Sequence, residues 1–411
     1  MLHALACLAL ALPTQRPHPP AGWDAFTRSF DAYAAGDSIV GASVLVVANG
    51  RVAAHHEYGV ADRALGQRVD TNTIYHWASI TKTLTAIAIL QLRDRGRLSL
   101  DDHVTKWIPE LRQVHDSFGA IDDITIRMLL SHSAGFQGPT WPWTRGQAWE
   151  PFEPTRWDQL VAMMPYQEIL FAPGSRYSYS NPGFIYLARI IEQTTGDPWE
   201  TYVQKNILTP LGLTRSYFGV TPYHLATFRS NNYTVTKDSA GRVSVMANGR
   251  DFDPGITIPN GGWNAPLGDL ARFLAFLGSA TPGNASPGNA SPGSATLGNA
   301  TPGNVGPAYA ILGRASLEEM WQARYLAVEP VAGEATPADS IGLSFFILWR
   351  GGTRFVGHTG HQAGFRSFFY INPATGSGVV AAFNTTNDAD NDRSEAGFRA
   401  MRDAALALVA R

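Results

Sequence analysis

The spacing of apolar residues changes period along the chain, and the order of the changes predicts which segments are helix and which are strand. Residues 23 to 35 carry apolar side chains at helical spacing and read as an opening amphipathic helix. Ala42 to Ala48 and Val52 to Val60 are β-rich, and the Asn49-Gly50 pair between them is a strong hairpin signal. After Ser79 the run TLTAIAILQLRDRG returns to helical spacing and stops at Arg95-Gly96, where a basic residue and a glycine suit a helix C-terminus. Ser79 is thereby placed at the front of a buried helix.

From about Leu100 to Ala275 helical segments such as Phe184 to Thr194 and Trp199 to Ile207 alternate with Pro/Gly punctuation, which predicts a mostly helical lobe. From Ile341 to Asn384 three β-rich runs follow (Gly342 to Trp349, Phe365 to Ile371, Gly378 to Phe383), and the helical stretch Glu395 to Val409 closes the pattern. The expected fold is α+β. N- and C-terminal strands complete one antiparallel sheet flanked by the first and last helices, with an α/β lobe over about 23–75 and 335–411 and a helical lobe over about 76–330. Between Ser279 and Pro307 runs an imperfect repeat, PGNAS, PGNAS, PGSAT, LGNAT, PGNVG, which offers nothing to build a core and reads as a flexible insertion in a surface connection.

With 411 residues and 45% hydrophobic composition, the chain is large enough for a substantial core in one domain, here residues 23–411. Its 32 basic and 34 acidic residues are evenly spread, so no footprint for nucleic acid is expected and the natural partners are small molecules. Met1 to Leu12 form a short apolar run before the Pro-rich stretch Pro13 to Pro20, so residues 1–20 read as a secretory leader and the expected location is periplasmic or secreted. Cys7, the only cysteine, lies inside that leader, which excludes disulfides and cysteine metal sites from the mature chain. No other apolar run is long enough for a membrane span.

Candidate chemistry sits in three short runs. In Ser79-Ile80-Thr81-Lys82 the serine and lysine are three apart and share a helix face, so the amine can reach the hydroxyl, which needs a base to become a nucleophile. Tyr179-Ser180-Asn181 lies between Pro173-Gly174 and Pro182-Gly183, on a loop able to aim Tyr179 at Ser79. A lysine cation beside the phenol is expected to lower its pKa and make Tyr179 a general base, while Asn181 can orient Lys82 or a substrate carbonyl. His358-Thr359-Gly360 heads the strand-like stretch at Phe365. There a backbone N–H, by this geometry that of His361, pairs with the N–H of Ser79 as an oxyanion hole. A metal pair at His358 and His361 is the alternative, but a strand sets residues three apart on opposite faces and no third ligand stands nearby.

These runs, with LLSHSAGF (Leu129 to Phe136) and FAPGSRYSYSNPGFIYLARIIEQTTG (Phe171 to Gly196), resemble the β-lactamase-related serine hydrolases, which include class C β-lactamases, DD-peptidases, D-aminopeptidases and esterases. The resemblance covers roughly residues 24 to 410 apart from the insertion, and implies a class C β-lactamase-like fold with the site between the two lobes. It implies Ser79 as nucleophile, Lys82 and Tyr179 as the base system, Asn181 as a polar substrate contact and His358-Thr359-Gly360 as the wall that is Lys-Thr-Gly in class C β-lactamases. No cofactor or metal is implied.

Histidine, only partly charged near neutral pH, in place of a fixed lysine charge disfavours the carboxylate of a β-lactam. Arg366 is a candidate replacement for that charge, or else a solvated strand residue. Trp141, Trp143, Trp149 and Trp157 either form an aromatic rim for an acyl group or pack the helical lobe. His132, in the SHSAG loop, is expected to be structural. The expected activity is cleavage of an ester, amide or D-amino-acid peptide through an acyl-enzyme on Ser79. The alternatives are a penicillin-binding DD-peptidase or weak β-lactamase, acyl transfer to an alcohol or amine, and a non-catalytic scaffold on the same fold.

Overall fold

The computed structural model describes residues 18–136, 154–279, 311–327 and 339–411. Residues 1–17 of the expected leader, the repeat insertion from residue 280 onward, and Trp141, Trp143 and Trp149 lie outside the described residues.

A nine-stranded sheet organises the molecule. From one edge the strands run Gln67–Arg68, Arg51–Asp62, Gly41–Ala48, Gly378–Phe383, Phe365–Ile371, Thr353–Gln362, Phe346–Arg350, Ser340–Ile341 and Tyr325–Leu326. Every neighbouring pair is antiparallel, so N-terminal and C-terminal strands do close one sheet, with Gly41–Ala48 paired to Gly378–Phe383 at its centre. The Asn49-Gly50 turn has positive φ at both residues, 51° and 69°, as a two-residue hairpin loop whose twist matches its strands requires.

Alternation along the strands builds two cores. Val44 and Val46 face the first helix, Trp23–Gly36, and the last, Asn391–Ala407, where they pack with Phe26, Phe30, Phe398 and Met401. Leu45 and Val47 face the other way, into a larger core shared with helix Leu267–Gly278 and the helical lobe. Among the described residues no helix is long and apolar enough to cross a membrane.

One sequence expectation needs an addition and one a correction. The helical lobe also contributes strands to two three-stranded sheets, one built from Ile74–His76, Tyr217–Phe218 and Trp263–Pro266, the other from Asn232–Lys237, Val243–Gly249 and Thr385–Asn387. The C-terminal region has a further strand, Thr353–Gln362, and His358-Thr359-Gly360 lies within it instead of heading the next one. Two glycines and two histidines in TRFVGHTGHQ dilute its β-signal, but the glycines are there for close approach: a Cβ on Gly357 would lie 1.9 Å from the Phe369 carbonyl oxygen.

Candidate active site

Ser79 lies in the short 3-10 turn Ala78–Ile80 that leads into helix Thr81–Asp94. From Thr73 to Leu92 every residue is buried except Ser79, which is half-buried, so one hydroxyl is left reachable on an otherwise enclosed segment. Ala78 adopts a positive φ of 49°, a conformation that costs a non-glycine residue energy and persists only where its surroundings enforce it. Thr81 supplies the enforcement. Its hydroxyl donates to the Ala78 carbonyl at 2.6 Å and accepts from the Trp263 N–H at 2.9 Å. As a first-turn amide, the Ser79 N–H has no acceptor within its own helix and is free for a substrate oxygen.

Lys82 is fully buried, one turn on. Its Nζ lies 3.2 Å from Ser79 Oγ and donates to the Asn260 carbonyl at 2.9 Å. The rings of Tyr179 and Phe184 wall it in, with centroids 4.9 and 5.7 Å from Nζ. Burial lowers the Lys82 pKa well below the ordinary lysine value and no carboxylate opposes it, so the site favours the neutral amine. Asn260 went unnoticed in the sequence because it acts partly through its backbone. Its carbonyl holds Lys82 while its side-chain Nδ2 donates to the Asn181 carbonyl at 3.3 Å.

Tyr179 reaches the site from the loop before helix Asn181–Thr195, which Ser180 caps by accepting from the Gly183 N–H and which has proline in its first turn. The phenol is buried and its hydroxyl has no hydrogen-bond partner of ordinary geometry, although Ser79 is near enough to pull its pKa down somewhat. Burial wins, and the pKa rises well above the ordinary tyrosine value. The expected lowering by a lysine cation is thus reversed, because the same dry environment that disfavours phenolate also disfavours the charge on Lys82. Asn181 is half-buried at the first turn of its helix.

The strand carrying His358-Thr359-Gly360 forms the opposite wall. Gly360 is required for it to come this close, since a Cβ there would lie 2.2 Å from the Trp77 carbonyl oxygen, two residues before Ser79. His358 is buried, with its ring 5.1 Å from Phe346 and 6.4 Å from Tyr179. Its Nδ1 donates to the Thr359 carbonyl at 2.5 Å, leaving Nε2 as a buried acceptor without a partner. Burial, and then Lys82, push its pKa down to about 3, so the ring is neutral across the physiological range instead of partly charged. Thr359 is half-buried, and the exposed His361 lies in the field of Arg366, Glu395 and Asp388, away from His358. The two histidines therefore do not share a face.

Arg366 fits neither sequence reading. It is buried on the terminal-helix side, donating to Glu395 at 2.8 Å with its guanidinium 4.1 Å from the centre of the Phe398 ring. Trp157 is half-buried and packs edge-on to Tyr186 and against Arg189 of the Asn181 helix, in the manner of lobe packing. Among the described residues no cluster of three or more histidine, cysteine, aspartate or glutamate side chains could hold a metal ion.

Comparison with known proteins gives the arrangement a family. A family model described as Beta-lactamase matches residues 26–404. Protein flp of Staphylococcus aureus (strain COL) is 31% identical over 185 residues, which is 45% of this chain and 36% of that protein. Esterase EstB of Burkholderia gladioli is 30% identical over 247 residues, 54% of this chain and 61% of the esterase. The matched part of this chain thus spans only about a third of the first relative's length and three fifths of the second's. Among solved structures, D-amino acid amidase from Ochrobactrum anthropi SV3 complexed with D-phenylalanine superposes with a TM-score of 0.70 at 19% identity, covering 94% of this chain and 98% of the amidase. The octameric penicillin-binding protein homologue from Pyrococcus abyssi gives 0.68 at 24% identity, covering 89% and 74%. At such identities these likenesses establish the fold. With the family match running from the first helix into the last, the chain belongs to the beta-lactamase family.

Proposed function

We propose that the protein is a serine hydrolase that cleaves an ester or amide bond through an acyl-enzyme on Ser79. The observation that carries the reading is the buried Lys82 amine, 3.2 Å from Ser79 Oγ and anchored on the Asn260 carbonyl. A neutral amine with one N–H committed to a carbonyl can turn its lone pair to the serine hydroxyl. Lys82 takes the proton as Oγ bonds to the substrate carbonyl carbon, and the developing oxyanion rests on the N–H groups of Ser79 and His361. As the bond to the leaving oxygen or nitrogen breaks, the Tyr179 hydroxyl supplies its proton and is recharged from the Lys82 ammonium. Water then attacks the ester, its proton returns through the same groups to Ser79, and the acid is released.

The neutral His358 favours substrates without a carboxylate at that wall, hence esters and amides ahead of β-lactams. The esterase and amidase activities named for relatives and structural neighbours agree with this preference. Activity in a periplasmic or secreted setting is part of the proposal and rests on the leader-like residues 1–20.

Parallel hydrolysis of a short-chain p-nitrophenyl ester and a chromogenic cephalosporin, with Ser79→Ala as control, tests the reading. Preference for the ester, lost in Ser79→Ala, is expected. Preference for the cephalosporin would move the penicillin-recognising alternative ahead, and no Ser79-dependent turnover of either would favour the scaffold.

A further inference from the structure

His132 touches the Tyr179 loop at three points. Its carbonyl accepts the Ser178 N–H at 2.8 Å, its Nδ1 accepts the Ser180 N–H at 3.0 Å, and its ring stacks on the ring of Tyr179 with centroids 4.4 Å apart and planes 25° from parallel. The residues on both sides of the tyrosine, and the tyrosine itself, are thus held by one side chain and its own carbonyl. The support beneath is stiff. Ser131 and Ser133 hydroxyls bond across at 3.0 Å, the Gly174 N–H donates to the Ser133 carbonyl at 2.8 Å, and His132 has a positive φ of 54°.

A packing role alone does not account for these contacts. Because Nδ1 is an acceptor, the ring carries its proton on Nε2, and that N–H is buried without a partner. An unpaired buried donor is costly, and a phenylalanine would fill the same space without it. What the histidine adds is the grip on Ser180.

We propose that His132 is a positioning residue for Tyr179, fixing the phenol hydroxyl where a leaving group departs from the acyl carbon. The proposal rests on the hydrolase reading above. It has a specific kinetic signature, because p-nitrophenolate leaves without needing a proton near neutral pH whereas an alkoxide must be protonated as it departs.

The test compares p-nitrophenyl and ethyl esters of the same acid for wild type, His132→Asn, His132→Ala and Tyr179→Phe. Asparagine tolerates the positive φ and keeps an acceptor for Ser180 while giving up the stack. His132→Ala is expected to lose about tenfold more kcat/KM, which reports acylation, on the ethyl ester than on the nitrophenyl ester, and His132→Asn about threefold more. Adding His132→Ala to Tyr179→Phe should leave the ratio where Tyr179→Phe alone puts it. Equal losses on both esters in a variant that melts like wild type, or additive effects in the double variant, would overturn the proposal while leaving the hydrolase intact. Absence of Ser79-dependent hydrolysis in wild type would instead sink the hydrolase reading. In that case crystal structures of wild type and His132→Asn decide the positioning claim: a Tyr179 hydroxyl displaced by about 1 Å supports it, and an unmoved one refutes it.

Discussion

The Asn260 carbonyl accepts a hydrogen bond from Lys82 Nζ at 2.9 Å, and this contact fixes how the amine presents itself to Ser79. If the neutral amine is the base, kcat/KM must rise with pH through one ionisation lying below the ordinary lysine range, because protonation of Lys82 consumes the lone pair that serine needs. Lys82→Ala should lower kcat about 10³-fold or more, and Lys82→Arg, permanently charged, should not restore it. A pH profile of ester hydrolysis checks this. An acid limb lying in the ordinary lysine range in wild type would contradict it.

Gly360→Ala would place a methyl group 2.2 Å from the Trp77 carbonyl oxygen, a backbone atom that cannot swing aside. The strand must move off the Ser79 turn, widening the gap between the Ser79 and His361 amides. The expected result is a loss of about 10²-fold in kcat with a lowered melting temperature. Wild-type kinetics in this variant would show that the spacing is unimportant.

Much of this was legible in the sequence where a local rule and the tertiary structure ask for the same residue. Asn49-Gly50 specifies its hairpin, and the Ser79/Lys82 spacing specifies its contact, because each depends on one turn of chain. The strand Thr353–Gln362 was hidden because its glycines answer to backbones far away in sequence, Phe369 for Gly357 and Trp77 for Gly360. Asn260 was hidden because a carbonyl oxygen is common to every residue type. The protonation states of Lys82, Tyr179 and His358 were misread because they follow burial, which motifs do not report.

His358 also gives stability a pH dependence. Its pKa falls from the ordinary 6.5 to about 3 on folding, so between those values the unfolded chain binds the extra proton and stability rises with pH. The penalty begins as pH drops below 6.5, is complete below 3, and is on the order of 5 kcal/mol from the size of the shift. His76, pushed down to about 4 by burial and by Arg229, adds in the same direction. His358→Gln should therefore flatten, without abolishing, the fall in melting temperature between pH 7 and 4. An unchanged slope would mean that His358 titrates normally.

The same residue governs substrate charge. His358→Lys restores a cation at the wall, and a charge-assisted contact with a carboxylate is worth about 1.5–3 kcal/mol. The ratio of cephalosporin to ester kcat/KM should rise about tenfold or more. A ratio unmoved in a folded, ester-active variant would show that the β-lactam carboxylate does not meet this position.

The most direct measurement is covalent labelling of the protein with a fluorophosphonate, followed by intact mass and peptide mapping. One adduct is expected, on Ser79, formed by wild type and far more slowly by Lys82→Ala. Failure of wild type to label, or an adduct on another residue, would contradict the claim that Ser79 is a nucleophile activated by a buried amine.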